Sequence, residues 1–208
     1  MVQESADALR PPERLTVSQA AAKYRVLYNP GSYIGPWMHE PTPYMIEPMD
    51  SLTERALNAC IFVGPAQSSK TECIINWLAY TIKCDPADFI IYQTSQGTAR
   101  DFSKRRIDRL HRHSTEIGNQ VVTSGGHNDN TFDKHYKSGV MLTLSWPSIN
   151  ELSGRPVGRV ALTDYDRMPE NIDGEGAPFD LARKRTTTFG SFAMTLAESS
   201  PGHEVSDP

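Results

Sequence analysis

The sequence predicts an α/β fold in which a mainly parallel central sheet is flanked by helices and preceded by an N-terminal arm. Three observations carry this expectation. Short apolar runs, ACIFV (59–63), DFIIY (88–92) and RVALTD (159–164), have the length and the β-branched or aromatic character of buried strands. Stretches of helical period lie between them, as the crossovers of a parallel sheet require. The first of these strands also runs through a turn-forming segment straight into a helix that opens on Lys70-Thr71.

At 208 residues the length suits one domain, or one with an appendage. The expected division is an N-terminal arm and helix region at 1–55 and a core at 56–208. Residues 1–14 are polar, carry Pro11-Pro12, and read as disordered or loosely docked. TVSQAAAKYRV (16–26) is a helix, with Thr16 or Ser18 as its N-cap. Five prolines fall between 29 and 48, which predicts an extended arm packing on the core and no regular element. A short helix is expected from Pro48 to Leu57, leading into the strand at 59.

The junction after that strand is the most informative stretch. Gly64, Pro65, Ala66, Gln67, Ser68 and Ser69 form a loop, and Lys70 and Thr71 begin a helix whose Ile74, Ile75, Trp77, Leu78 and Ile82 recur at helical spacing. This is the layout of GxxxxGK[ST], in which loop N–H groups and the helix dipole hold nucleotide phosphates. Lys70 would reach the β/γ-phosphates and Thr71 would ligate Mg²⁺. Ser69 stands where a second glycine is usual, at some steric cost if the backbone there is left-handed. The core is therefore read as a P-loop NTPase core that takes ATP and Mg²⁺.

Beyond it, Asp85-Pro86 breaks the chain before the strand at 88–92. The helix TARDFSKRRIDRLHRH follows, with Phe102, Ile107 and Leu110 inward and Lys104, Arg105, Arg106, Arg109 and Arg112 outward. That basic face is either solvated or a patch for phosphates. Residues 114–130 read as a loop, with 125–130 (GGHNDN) as the clearest turn signal. Phe132–Lys137 and Val140–Trp146 form a hairpin around Ser138-Gly139. After a half-turn at 149–152 and Arg155-Pro156, the run at 159–164 ends on Asp164. A carboxylate at the tip of a parallel strand next to the P-loop strand can hold a Mg²⁺-bound water. Residues 177–189 form a further basic helix, and Ser191 to Leu196 a last strand before Glu198-Ser199-Ser200-Pro201. The sheet reads as cut short at its C-terminus.

Composition bounds the alternatives. A net charge of −4 carries no whole-chain basic footprint for nucleic acid. Cys60, Cys73 and Cys84 make no CxxC pair, so buried free thiols in a reducing compartment are expected. The six histidines do not combine with them at zinc-site spacing. No apolar stretch approaches the ~18 residues of a membrane span, and no signal-peptide core opens the chain.

Several stretches together resemble the ATPase domain of a phage terminase large subunit of the lambda-like class. They are LTVSQAAAKYRVL (15–27), PWMHEPTPYMIEPMDSL (36–52), the P-loop, QTSQGTARDFSKRRIDRL (93–110), SWPSINELSGRPVGRVALTDYDRMPE (145–170) and LARKRTTTFGSF (181–192). The resemblance implies an ATP-driven motor that moves double-stranded DNA into a procapsid. It also implies a terminase small subunit and a portal or procapsid as partners, a homo-oligomeric ring, no membrane, and the cytoplasm of an infected host cell. The family's nuclease domain has no counterpart in this sequence. Lys70 and Thr71 match the P-loop lysine and metal-ligand positions, and Ser199 and Ser200 match the motif that couples the γ-phosphate to movement.

Two departures stand out. Ala66 occupies a position that is often basic in the family, so the cation would come from Arg100, Arg105 or Arg106, or from a neighbouring subunit. The family's adjacent Asp-Glu pair is replaced by Thr163-Asp164-Tyr165-Asp166. Either Asp164 is the metal acid and Tyr165 stands in the catalytic glutamate's place, or Asp164 holds that place and Thr163 has replaced the metal acid. The first register is favoured, with Asp166 as the next available carboxylate. These departures predict that the chain alone turns over ATP poorly. A helicase or translocase ATPase and a catalytically decayed assembly module are the rival readings.

Overall fold

A computed structural model describes residues 13–123, 130–152, 154 and 156–201. Its central feature is a helix apolar on nearly every side. In α3 (Lys70–Lys83), the residues from Cys73 to Ile82 are all buried, Asn76 and Thr81 included. A helix of that kind needs cover all round. The sheet covers one side, where Trp77 meets Phe89 edge-to-face at 4.6 Å between ring centroids. The other side is closed by α1 (Val17–Tyr24) and α2 (Ile46–Ser51), whose Val17, Ala20, Ala21 and Met49 belong to the same apolar cluster, as does Met45 just ahead of α2.

Thr16, not Ser18, caps α1, in a reciprocal capping box with Gln19. Ser18 instead donates through N–H and Oγ to Asp50, at 2.9 Å each, tying α1 to α2. The proline-rich stretch is more regular than its composition predicts. A two-stranded antiparallel ribbon pairs β1 (Val26–Tyr28) with β2 (Ile34–Pro36), and α2 begins two residues before Pro48. The prolines fit because Pro36 ends an edge strand and Pro48 sits in the first turn of α2, where its missing N–H costs nothing.

The main sheet has six strands: β3 (Ala59–Val63), β4 (Phe89–Tyr92), β5 (Asp133–His135), β6 (Met141–Ser145), β7 (Arg159–Leu162) and β8 (Met194–Ser199). Their order is β3-β8-β7-β4-β6-β5, parallel throughout except for the hairpin strand β5. Two expectations are corrected here. The P-loop strand β3 does not lie beside β7, because β8 is inserted between them. Nor is β3 buried on both faces: Cys60 and Phe62 pack toward α3, while Ile61 and Val63 are 67% and 58% exposed. It is an edge strand of a sheet whose central members, β4 and β7, are buried at every position. The last strand also starts later than predicted, since Ser191 and Phe192 close a turn ahead of it.

The helix after β4, here α4, runs continuously over 96–113, its middle turn (Ser103–Ile107) wound more loosely than an α-helix. Thr115–Gly118 adds a short helix, α5, within the predicted loop. Ile149–Leu152 (α6) and Pro178–Thr186 (α7) follow, the latter covering β7 and β8 on the face away from α3. Buried Arg159, of the RPVGRV stretch, fastens β7 to the end of α3. It bonds Thr81 and Asp85 and lies over the rings of Tyr80 and Trp77. Residues 1–12 of the predicted tail at 1–14, residues 125–129 of the turn, and Arg155 lie outside the described residues. Among the described residues, no helix is long and apolar enough to cross a membrane, and all three cysteines are free, with Cys60 only half-buried.

Candidate nucleotide site

Because β3, β8 and β7 are parallel neighbours, their C-terminal tips open on one edge of the sheet, where ligands gather in such folds. The tip of β3 leads into the loop at 64–69. Gln67 and Ser69 both take left-handed backbone (φ 60° each), so the loop coils back before α3. Ser69 thus adopts, as a serine, the conformation for which glycine is usual. It precedes α3 without a side-chain cap, leaving the first N–H groups of a 14-residue helix without an intrahelical partner. Gly64 lies against Ser68 and Lys70: a Cβ there would come within 3.0 Å of Ser68 Oγ.

Lys70 is buried, 5% exposed, and its ammonium is wrapped by the loop. Nζ donates to the carbonyls of Gly64 (2.9 Å) and Pro65 (2.7 Å) and to Ser200 Oγ beyond β8 (3.0 Å). Ser199 meets Asp166 twice: its Oγ accepts from the Asp166 N–H at 3.0 Å, and its hydroxyl donates to the Asp166 carboxylate. The Ser199-Ser200 pair therefore bridges the P-loop lysine and the segment after β7. Asp166 is engaged there and does not line the pocket between the strand tips.

That pocket, of about 280 Å³, is lined by Ala66, Gln67, Ser68, Ser69, Lys70, Thr71, Glu72, Arg106, Asp164, Arg167, Glu198 and Ser200. Of the three arginines considered as the missing cation, only Arg106 is among them. Its guanidinium holds Glu72 at 2.9 Å while the side chain stays 46% exposed. Arg105 pairs along its own helix with Asp101. Glu72, in the first turn of α3, also pairs with Arg25, which is buried and donates to Asn76 Oδ1 at 2.8 Å. Burial pushes the Arg25 guanidinium below its ordinary pKa, and Glu72 opposes that.

Three pocket residues were not anticipated as parts of the site from the sequence: Glu72, Arg167, and above all Glu198. Glu198 ends the apolar run of β8, is 2% exposed, and accepts a hydrogen bond from Thr71 Oγ1 at 3.2 Å. Burial, and then the charge of Asp164, push its carboxyl up to about 7. The Thr71 hydroxyl, the Lys70 charge and the Asp164 N–H oppose the rise. A carboxylate closing an apolar strand at the ligand-binding edge was the available signal. The site is thus not short of a carboxylate, as Tyr165 implied.

The donor set suits the groups expected of it. Unpartnered N–H groups at a helix start and an ammonium suit phosphates. A hydroxyl beside two carboxylates suits a hard divalent cation, which takes one or two carboxylates and completes its shell with water and phosphate oxygens. Among the described residues no cluster of three or more acidic, His or Cys side chains could hold a metal unaided.

A mostly parallel α/β sheet with this loop and lysine at its edge is a P-loop-type fold. The sequence from 31 to 207 matches the family "Phage terminase large subunit gpA, ATPase domain", and the chain belongs to that family. Its fold is similar to that of the HK97 bacteriophage large terminase, with TM-score 0.64 at 12% identity over 89% of this chain. It is also similar to the Thermus phage P74-26 large terminase ATPase domain, with TM-score 0.51 at 14% identity over 76%. The matches span 38% and 64% of those two chains. No curated protein sequence matches this chain.

Proposed function

We propose that this chain is the motor part of a DNA-packaging terminase, binding ATP with Mg²⁺ and coupling its hydrolysis to movement of double-stranded DNA into a procapsid. The observation that carries the reading is the convergence, on one pocket, of Lys70 and Thr71 at the start of α3, Glu198 from β8 and Ser200 just beyond it, and Asp164 from beyond β7. The backbone at 64–71 and Lys70 would hold the phosphates. Thr71 and a carboxylate of the pair Asp164 and Glu198 would hold Mg²⁺, which supplies charge neutralisation at the phosphates when bound. Arg106 and Arg167 are the cations within the pocket able to face the γ-phosphate.

The link from Lys70 through Ser200 and Ser199 to Asp166 supports a coupling role for that serine pair. A change at the phosphates that moves Lys70 pulls directly on the end of β8. A working ring of subunits, a terminase small subunit, a portal or procapsid, and the cytoplasm of an infected host cell complete the proposal. The buried carboxylate in the pocket weighs against a decayed site.

Lys70→Ala tests the assignment. It should abolish binding of a fluorescent ATP analogue and all turnover, while circular dichroism stays that of a folded chain. A folded variant that binds and turns over ATP as the wild type does would end the P-loop reading.

A further inference from the structure

We propose that Glu198, carried on β8, is the acid that joins Thr71 in holding the nucleotide's divalent cation, and that Asp164 serves the hydrolytic step instead. The inference rests on the P-loop reading above and departs from the favoured sequence register, in which Asp164 is the metal acid.

The argument begins with the faces of the sheet. Cys60, Phe62, Ala161, Met194 and Leu196 point toward α3, while Val160, Leu162 and Ala197 belong to the cluster on the opposite face. Side chains alternate along a strand. The last α3-facing positions at the tips of β7 and β8 are therefore Thr163 and Glu198. They stand side by side, one step beyond the paired Leu162 and Ala197. The threonine is buried and its hydroxyl is directed to the Tyr92 carbonyl at 3.3 Å. On the face where Thr71 begins α3, β7 thus offers no carboxylate and β8 offers one.

Thr71 uses it. Its hydroxyl, the group a P-loop presents to the cation, donates to Glu198 Oε1. Asp164 stands in a different relation. The chain leaves β7 through left-handed backbone at this residue (φ 47°, ψ 48°), a conformation aspartate tolerates better than most. The Asp164 charge disfavours ionisation of the Glu198 carboxyl, whereas its N–H favours it. The Asp164 side chain is exposed and lines the pocket from the solvent side.

Charge completes the case. Once ionised, a carboxylate 2% exposed calls for a counter-charge. The nearest ammonium, Lys70, directs its donors to Gly64, Pro65, Ser68 and Ser200. A divalent cation on Thr71 would lie beside Glu198 and supply that charge.

The test titrates Mg²⁺ into the chain with a fluorescent (mant) ADP and reads the metal concentration at half effect. Glu198→Gln keeps an acceptor for Thr71. It should raise that concentration at least about tenfold, the scale on which shell partners act on metal affinity. Affinity for the nucleotide without metal should change less than about twofold. Asp164→Asn should leave the metal requirement within about threefold while cutting turnover. Thr71→Val should shift the metal requirement alone, and Thr71→Val with Glu198→Gln should do little more than either substitution, as expected for two groups acting on one ion. If Glu198→Gln melts at ambient temperature, Glu198→Asp takes its place, with a shift of severalfold expected. An unchanged metal requirement in a folded Glu198 variant, or a larger shift from Asp164→Asn, overturns the proposal. Failure of the wild type to bind the nucleotide, or equal binding by Lys70→Ala, overturns the P-loop reading itself.

Discussion

Glu72→Gln is expected to destabilise the chain more than Arg25→Met does, although both substitutions break the same ion pair. Arg25 is 4% exposed and reaches Glu72 and Asn76 from the end of α1, so it bolts the N-terminal segment to the first turn of the P-loop helix. Breaking a buried pair by removing one partner costs about 3–5 kcal/mol when the survivor is left buried and charged. Glu72→Gln does that to Arg25. The amide oxygen still accepts one bond and Nε keeps Asn76, which places the cost near the lower end, about 3 kcal/mol. Arg25→Met instead removes the buried charge and keeps much of the apolar stem. Glu72 is left 16% exposed and still held by Arg106, and the main loss is the donor to Asn76 Oδ1, about 1–2 kcal/mol. Urea unfolding followed by tryptophan fluorescence, with equal slopes for the three proteins, measures both costs. An Arg25→Met cost equal to or above that of Glu72→Gln would refute the reasoning, because Arg106 would then not be sustaining Glu72.

Asp164→Asn should reduce Mg²⁺-dependent ATP turnover more than Asp166→Asn, since Asp164 lines the pocket while Asp166 is tied to Ser199; a phosphate-release assay of both variants decides, and the reverse order would make Asp166 the reacting carboxylate. The nucleotide-free, metal-free protein should lose stability as pH rises. Glu198 is raised from 4.5 to about 7, so the folded chain holds a proton that the unfolded chain releases earlier. That stabilisation is complete below about pH 4.5 and lost through pH 7, a span of about 3 kcal/mol at about 1.4 kcal/mol per unit. Glu198→Gln should flatten that slope in chemical denaturation, and an identical slope in the variant would exclude Glu198 as its source. This chain alone, dilute, should hydrolyse ATP slowly, with Ala66 where a cation is expected, and added chain mutated at Lys70 should raise the rate; turnover near one per second independent of protein concentration would show a self-sufficient site, an arginine at the γ-phosphate being worth about 10³–10⁵ in rate.

Much of this molecule was legible locally. A strand, a coiled loop and a helix opening on Lys70-Thr71 follow from residue types within twenty positions, as do a cap at Thr16 or Ser18 and the buried runs of β4 and β7. Those features depend on backbone preference and apolar period, which neighbouring residues settle among themselves. What the sequence did not disclose is which strand lies beside which. Strand β8 arrives about 130 residues after β3, yet it fills the place between the P-loop strand and β7. Nothing in either strand's own composition announces that pairing, because parallel neighbours are chosen by crossover helices and by the packing of both faces. The same insertion carries Glu198 to Thr71 and Ser200 to Lys70. It also leaves Ile61 and Val63 at an edge where a run of apolar residues had promised burial. The chemistry-bearing residue types were written in the chain; their meeting at one pocket was decided by the order of the sheet.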